Sequence, residues 1–217
     1  MNALQMLAQA SGIAYAAGLN LYVTIGIVGL VSRYGWVGPI PASLVLLSSV
    51  WVIGLALVLA LVEFVACMNP GIATLWDTVH SLIRPPAAAA LAAAITWQTD
   101  PLLVLLAALI GGTLAVATHI TKLGLRYVID ASPKPVGGAV INAVELILVV
   151  AISVAIWINP FLTLLFALIV LALLVVIVRL IWRTLRQVFA GRWVPHHGFL
   201  QDARTSDRLG RREDDGM

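Results

Sequence analysis

The chain has 217 residues, of which 61% are hydrophobic and only 11% are charged, and its formal net charge is +3. This composition predicts an integral membrane protein and leaves no room for a separate soluble domain. The basic excess lies in the apolar part, since residues 1–190 hold eight Lys and Arg against five Asp and Glu, while residues 191–217 hold five of each. The charge therefore argues against an acidic partner such as nucleic acid, and the single cysteine, Cys67, excludes an intrachain disulfide.

Six apolar segments follow one another along the chain and are separated by turn-forming Gly, Pro, Asn and Asp. A membrane helix needs about 20 apolar residues, so the sequence predicts an all-α, polytopic membrane helical bundle with about six spans. The segments are 7–31, 48–68, 86–97, 101–125, 137–158 and 161–182. Residues 1–190 are predicted to form this transmembrane domain, and residues 191–217, which are polar and of mixed charge, a disordered cytoplasmic tail.

The third segment is too short to span a bilayer by itself. Extending it back to Thr74 gives enough length and brings three ionisable residues into the helix: Asp77, His80 and Arg84. Pro85 and Pro86 then lie inside the span, where we expect them to break or kink the helix. A broken helix at membrane depth is tolerated where it lines a cavity or is packed inside protein. The alternative is an amphipathic helix over residues 72–84 that lies in the membrane interface.

Basic residues near the predicted helix ends give the orientation. With six spans, two basic groups fall on one side, which the positive-inside rule makes the cytoplasm, so both termini are predicted to be cytoplasmic. The groups are Lys122, Arg126 and Lys134, and Arg179, Arg183 and Arg186. Trp76 falls near an inner helix end, as an interfacial anchor does. The two halves share a weak pattern that is compatible with an inverted 3+3 repeat.

Two stripes of ionisable residues share the spacing i, i+3, i+7, which places the three side chains of each stripe on one helix face. One holds Asp77, His80 and Arg84, and the other holds His119, Lys122 and Arg126. The predicted topology brings both stripes, together with Glu63 and Glu145, to the cytoplasmic half of the bundle, with Asn20 deeper. The sequence therefore predicts a polar vestibule that binds a substrate or an ion: Asn20, Glu63, Asp77, His80, Arg84, His119, Lys122, Arg126 and Glu145.

Simpler explanations exist for parts of this pattern. Lys122 and Arg126 are also explained by snorkelling to the lipid headgroups, and His80 and His119 by helix packing. Glu63 and Glu145 are harder to dismiss, because a carboxylate inside an apolar run needs a partner or a proton. The sequence has no Gly-rich phosphate loop, no Ser-His-Asp order and no paired metal motif, so we predict no catalytic residue, no metal and no cofactor.

Several sequence runs resemble a known family. The runs AAGLNLY, VEFVACMNPG, LWDTVHSLIRPP, THITKLGLRYVIDASPKP and RLIWRTLR are similar to the uncharacterised bacterial membrane family catalogued as domain of unknown function 4126. The resemblance covers residues 11–186 and implies a multi-pass protein of the bacterial cytoplasmic (inner) membrane. It departs from the expected pattern after the VEF element, where this chain has Cys67, Met68 and Asn69 instead of a more charged turn. The family brings no activity with it.

Three hypotheses about function remain open from the sequence. The first is a transporter or channel for a small ion or solute, with histidines and carboxylates suited to proton coupling. The second is a membrane enzyme or carrier that acts on a phosphorylated lipid, with the basic residues on phosphate. The third is a structural or assembly subunit of a membrane complex, in which the stripes fix helix register. The expected partners are the lipid bilayer and a small ion or solute, with a homo-oligomer or a membrane-complex partner left open.

Overall fold

The computed structural model describes residues 2–37, 40–130 and 138–166, and the isolated positions 168, 169, 172, 176, 179, 183 and 186. Within this part of the chain every regular element is a helix, which confirms the all-α prediction. The chain divides into two compact units, Met1–Leu174 and Val175–Met217. The predicted tail, 191–217, and most of the last apolar segment lie outside the described residues.

The helices of the first unit follow the predicted segments closely but not completely. Their bounds are α1 Ala3–Leu19, α2 Leu21–Tyr34, a 3₁₀ helix Ala42–Ser48, α3 Val50–Ala66, α4 Pro70–Thr96, α5 Pro101–Asp130 and α6 Gly138–Ile158. Residues 160–166 are again helical. The main difference is in the first segment, which is two helices instead of one.

Asn20 interrupts this first segment. Its backbone is extended, with φ −146° and ψ 104°. Its N–H donates to the Ala16 carbonyl at 2.9 Å, which ends α1, and its side-chain oxygen accepts from the Val23 N–H at 3.0 Å, which starts α2. Asparagine is a favoured N-cap because its side chain satisfies a backbone N–H that has no partner within the helix. A single residue thus ends one helix and caps the next.

Helix α4 is not broken at Pro85 and Pro86, so the predicted break is wrong. It runs without interruption from Pro70 to Thr96, and Asn69 caps its start by accepting from the N–H groups of Gly71 and Ile72. Each proline removes one backbone hydrogen bond, but α4 packs along both α1 and α5, and such packing supports a helix through proline. The alternative helix over residues 72–84 does not end at Arg84, because the same helix continues to Thr96.

Small residues bring α1, α4 and α5 into close contact. A Cβ atom added at Gly111 of α5 would lie 2.6 Å from Ala92 Cβ of α4 and 3.2 Å from Ala14 Cβ of α1. These three helices form the tightly packed side of the bundle. Helix α2 packs against α3 and against α6, and among the described residues no comparable contact joins α3 to α6. This gap positions the site described below.

One described helix segment is long and apolar enough to cross a membrane, Pro101–Gly124 of α5, with a mean hydropathy of 2.2. The 3₁₀ helix and α3 meet the same test together, although they are bent by 67° at their junction, which brings the total to two if the pair is one span. Core helices of soluble proteins also pass such a test, so these helices alone are weak support for a membrane protein.

Candidate functional site

Lys122 of α5 lies at the centre of a buried charge network that joins four parts of the chain. Its ammonium group donates to Glu145 Oε1 of α6 at 2.6 Å, to Glu63 Oε1 of α3 at 3.3 Å and to the Leu19 carbonyl at the end of α1 at 3.2 Å. An ammonium group has three N–H donors. All three are used by protein acceptors, and one of them satisfies a carbonyl that the break at Asn20 leaves without a helical partner.

Arg84 of α4 extends the network into the protein interior. Its side chain is 0% exposed and forms an ion pair with Glu63, which is 2% exposed. Its other terminal nitrogen, Nη1, lies 3.0 Å from His119 Nδ1. A buried arginine that lost its carboxylate would be an uncompensated charge. Glu63 therefore stabilises the buried charge of Arg84 on α4, in addition to its contact with Lys122.

The partners of His119 define its tautomer, which is the ring nitrogen that carries the hydrogen in the neutral form. Arginine only donates hydrogen bonds, so Nδ1 accepts from Arg84 and the hydrogen is on Nε2. Nε2 then donates to Ser81 Oγ at 2.8 Å, and Ser81 donates to the Asp77 carbonyl at 2.7 Å. The chain of hydrogen bonds therefore ends on the backbone of α4 and has one direction.

His80 belongs to a second, aromatic cluster and has the opposite tautomer. Its Nδ1 lies 2.7 Å from the Trp76 carbonyl, which only accepts, so Nδ1 carries the hydrogen in the neutral ring. The Tyr22 hydroxyl therefore donates to His80 Nε2, at 2.9 Å. The indole of Trp76 stacks on the imidazole with 4.4 Å between ring centroids. This cluster fixes α2 to the first half of α4.

A cavity of about 410 Å³ lies beside Lys122, between α2, α3 and α6. Its walls are mostly aliphatic, with Phe64 as the one aromatic residue that lines it in the described chain. Its polar lining consists of the helix break, the charge network and one amide of α6: Asn20, Glu63, Lys122, Glu145 and Asn142. Cavities of about 300–1,000 Å³ with apolar walls and a few convergent polar groups are typical of small-molecule sites.

The structure separates the predicted site residues into three groups. Glu63, Lys122 and Glu145 lie in the cavity wall together with Asn20, whereas Arg84 and His119 are in the network behind Glu63 and do not line the cavity. The third group is the aromatic cluster, which holds His80. Asp77 is buried, at 3% exposure, on the same α4 stripe. The side chain of Arg126 lies outside the described residues.

Four participants of these clusters have roles that the sequence did not predict. Ser81 lies on the α4 stripe, four residues after Asp77, so helical spacing alone would have found it. Tyr22 and the Leu19 carbonyl gave no such signal, because their roles depend on how α1, α2 and α4 pack. Trp76 was predicted as an interfacial anchor, and the structure places its ring, half-buried, against His80.

No metal site is formed by the described side chains, among which no three His, Cys, Asp or Glu residues lie close enough to hold an ion.

The fold and the site together define the class of the protein as all-helical, with a buried charge network beside a cavity. The family profile described as "Domain of unknown function (DUF4126)" matches residues 7–182, and the chain belongs to that family. No curated protein matches the chain. No solved structure matches it either.

Proposed function

We propose that this protein is an integral membrane protein that transports a small ion or solute through the cavity beside Lys122. The observation that carries the proposal is the interrupted helix. The break between α1 and α2 occurs at Asn20, which lies in the cavity wall, and the end of α1 is held by Lys122. Transport proteins commonly build substrate sites from discontinuous helices, whose free backbone groups and helix ends surround the ligand.

A membrane setting is supported by the distribution of polar and apolar side chains. Many large apolar residues lie on the outside, among them Trp51 at 86% and Leu82 at 80% exposure, whereas Arg84 is 0% exposed. Water would make this arrangement unfavourable, and hydrocarbon would make it favourable. We propose about six embedded segments in a bacterial cytoplasmic membrane, with both termini in the cytoplasm and the cavity in the cytoplasmic half.

Glu145 is the group best suited to couple transport to protons. Its side chain is 14% exposed, more than that of Glu63 or Lys122, and it lines the cavity. If Glu145 takes a proton, its attraction for the ammonium of Lys122 is lost, and the contact between α5 and α6 weakens. Ion pairs that join separate helices in this way are a physical means of linking protonation to helix movement.

The assembly-subunit hypothesis is favoured by a different observation. Arg84 pairs with both Glu63 and His119, and all three are buried, as expected for a network that fixes helix register. Arg84 and His119 do not line the cavity, so a structural role for these two residues is compatible with transport through the cavity beside Glu63. The lipid-enzyme hypothesis is not favoured by the described contacts, because Arg84 and Lys122 already hold carboxylates instead of being available for phosphate.

The proposal is tested by flux into liposomes that contain the full-length protein. The panel is Na⁺, K⁺, Cl⁻, ammonium and small neutral solutes, with a pH-sensitive dye inside to detect coupled proton movement. The decisive variant is Glu145→Gln, which keeps the size of the side chain and removes its charge. The matched control is Asp100→Asn, because Asp100 is an exposed acid whose side chain accepts from the Leu102 N–H, and asparagine caps a helix equally well.

We expect flux of at least one solute above that of empty liposomes, a large loss in Glu145→Gln and no loss in Asp100→Asn. Flux that is equal in the wild type and in Glu145→Gln would exclude Glu145 from the pathway. A wild-type protein that is inserted and folded but moves none of these solutes would favour the assembly role.

A further inference from the structure

We propose that the cavity binds an amphipathic organic cation, namely a protonated amine attached to a compact apolar body. The inference rests on the proposed function, because it takes the cavity to be the transport site, and it names the class of substrate. Three observations support it: the hydrogen-bonding state of Lys122, an acceptor atom on Glu63 and the apolar character of the walls.

Lys122 has nothing left to offer an anion. Its three N–H groups are donated to the Leu19 carbonyl, Glu63 Oε1 and Glu145 Oε1. An anionic ligand would have to displace one of these acceptors and would meet two carboxylates in the same wall. The lysine is therefore a structural cation of the site, and the charged groups that remain for a ligand are the two carboxylates.

Glu63 supplies such an acceptor. Its Oε1 atom receives both Arg84 and Lys122, whereas Oε2 is buried and has no hydrogen-bond partner among the described residues. A buried carboxylate oxygen without a donor costs free energy, and a ligand N–H that reaches it recovers that cost. The carboxylate of Glu145 lines the same cavity. A primary ammonium group suits such acceptors, because it donates in three directions.

The rest of the cavity determines the other end of the ligand. Most of the other residues that line the cavity are apolar, among them Val23, Ile27, Leu57, Leu61, Phe64 and Val150. A small inorganic cation would leave most of a cavity of about 410 Å³ without contacts, whereas an aromatic or branched aliphatic body would fill it. The combination selects a ligand with one cationic end and one apolar end.

The test is a binding titration of the full-length protein in lipid nanodiscs with three probes that share one apolar body. They are phenethylamine, which is cationic at neutral pH, 2-phenylethanol, which is neutral, and phenylacetate, which is anionic. Empty nanodiscs correct for partition into lipid. We expect phenethylamine to bind about tenfold or more tightly than either other probe, since a hydrogen bond between charged groups supports such a factor.

Two variants locate the binding. Glu145→Gln is expected to weaken phenethylamine binding about tenfold or more, with Asp100→Asn unchanged. Ala60→Phe places a large ring in the cavity, which Ala60 lines, and is expected to abolish binding of all three probes. Its matched control is Ala90→Phe, because Ala90 is exposed on α4 and does not line the cavity. If Glu145→Gln fails to fold, the filled-cavity pair and the probe series still decide the matter.

Several results would overturn the inference. Equal affinity for the three probes would assign the cavity to an uncharged or lipid-like occupant. Tightest binding of phenylacetate would make the cavity an anion site. No binding of phenethylamine in the millimolar range would exclude amines as ligands. The two proposals fail separately. Phenethylamine is therefore added to the flux panel. Amine binding without flux of any solute, phenethylamine included, would keep the ligand class and refute transport. Flux of another solute without amine binding would keep transport and refute the ligand class.

Discussion

The pairing of Glu63 with Arg84 predicts that replacing either residue destabilises the protein, but by unequal amounts. Replacing Glu63 by methionine leaves Arg84, which is 0% exposed, with a neutral imidazole as its only described side-chain partner. Breaking a buried pair in this way costs about 3–5 kcal/mol. Replacing Arg84 by methionine costs less, about 1.5–3 kcal/mol, because Glu63 keeps the ammonium of Lys122 at 3.3 Å. The Glu63→Met/Arg84→Met double variant leaves Lys122 paired with Glu145 and should cost less than Glu63→Met alone.

The assay is equilibrium unfolding of the full-length protein in mixed micelles with increasing SDS, applied to the wild type, both single variants and the double variant. The predicted order of destabilisation is Glu63→Met first, then the two others. Additive costs, with the double variant within about 0.5 kcal/mol of the sum of the singles, would refute the coupling. An Arg84→Met variant that is as destabilised as Glu63→Met would refute the role given to Lys122 as the second partner.

Three further predictions concern packing and hydrogen bonding. Gly18→Ala should lower the free energy of unfolding by about 1–3 kcal/mol, because its Cβ would meet the Ala115 backbone of α5, whereas Gly54→Ala, which meets nothing within 4 Å, should raise it by about 0.5–1 kcal/mol. Equal stability of Gly18→Ala and Gly54→Ala in SDS unfolding would contradict the close approach of Gly18 to α5. ¹⁵N NMR of the imidazoles should find the Nε2–H tautomer for His119 and the Nδ1–H tautomer for His80, and one tautomer for both rings would contradict the described partners. Tyr22→Phe removes the hydroxyl that donates to His80 and should cost about 0.5–1.5 kcal/mol in the same unfolding assay, so an unchanged stability would show that this bond contributes nothing.

The helix period explains why much of the charge network could be predicted from the sequence. Residues three or four apart share a helix face, so Arg84 and His119 were expected to face other polar groups, and the apolar surroundings of Glu63 and Glu145 required partners. Which acid meets which base could not be predicted. That choice depends on how α3 and α6 pack on α2, and Lys122 turns out to serve both acids.

The position of the helix break shows the limit of local reasoning. Prolines are strong helix breakers in isolation, so the helix break was predicted at Pro85 and Pro86. In the structure, neighbouring helices support α4 through both prolines. Asn20 is a weaker local signal within a longer apolar run. Its break is supported by Lys122, which reaches the Leu19 carbonyl from 103 positions further along the chain. A contact so distant in sequence is invisible to any pattern of neighbouring residues.

The measurement that tests transport through this cavity most directly compares flux in two alanine-to-phenylalanine variants. Ala60→Phe and Ala90→Phe carry the same substitution, one in the cavity wall and one on an exposed face of α4. Both are reconstituted at equal density in liposomes, and initial rates are measured for the solute that the wild type carries fastest. We predict that Ala60→Phe loses most of the flux and that Ala90→Phe keeps it. Equal flux in the two variants would contradict the assignment of the cavity as the transport path.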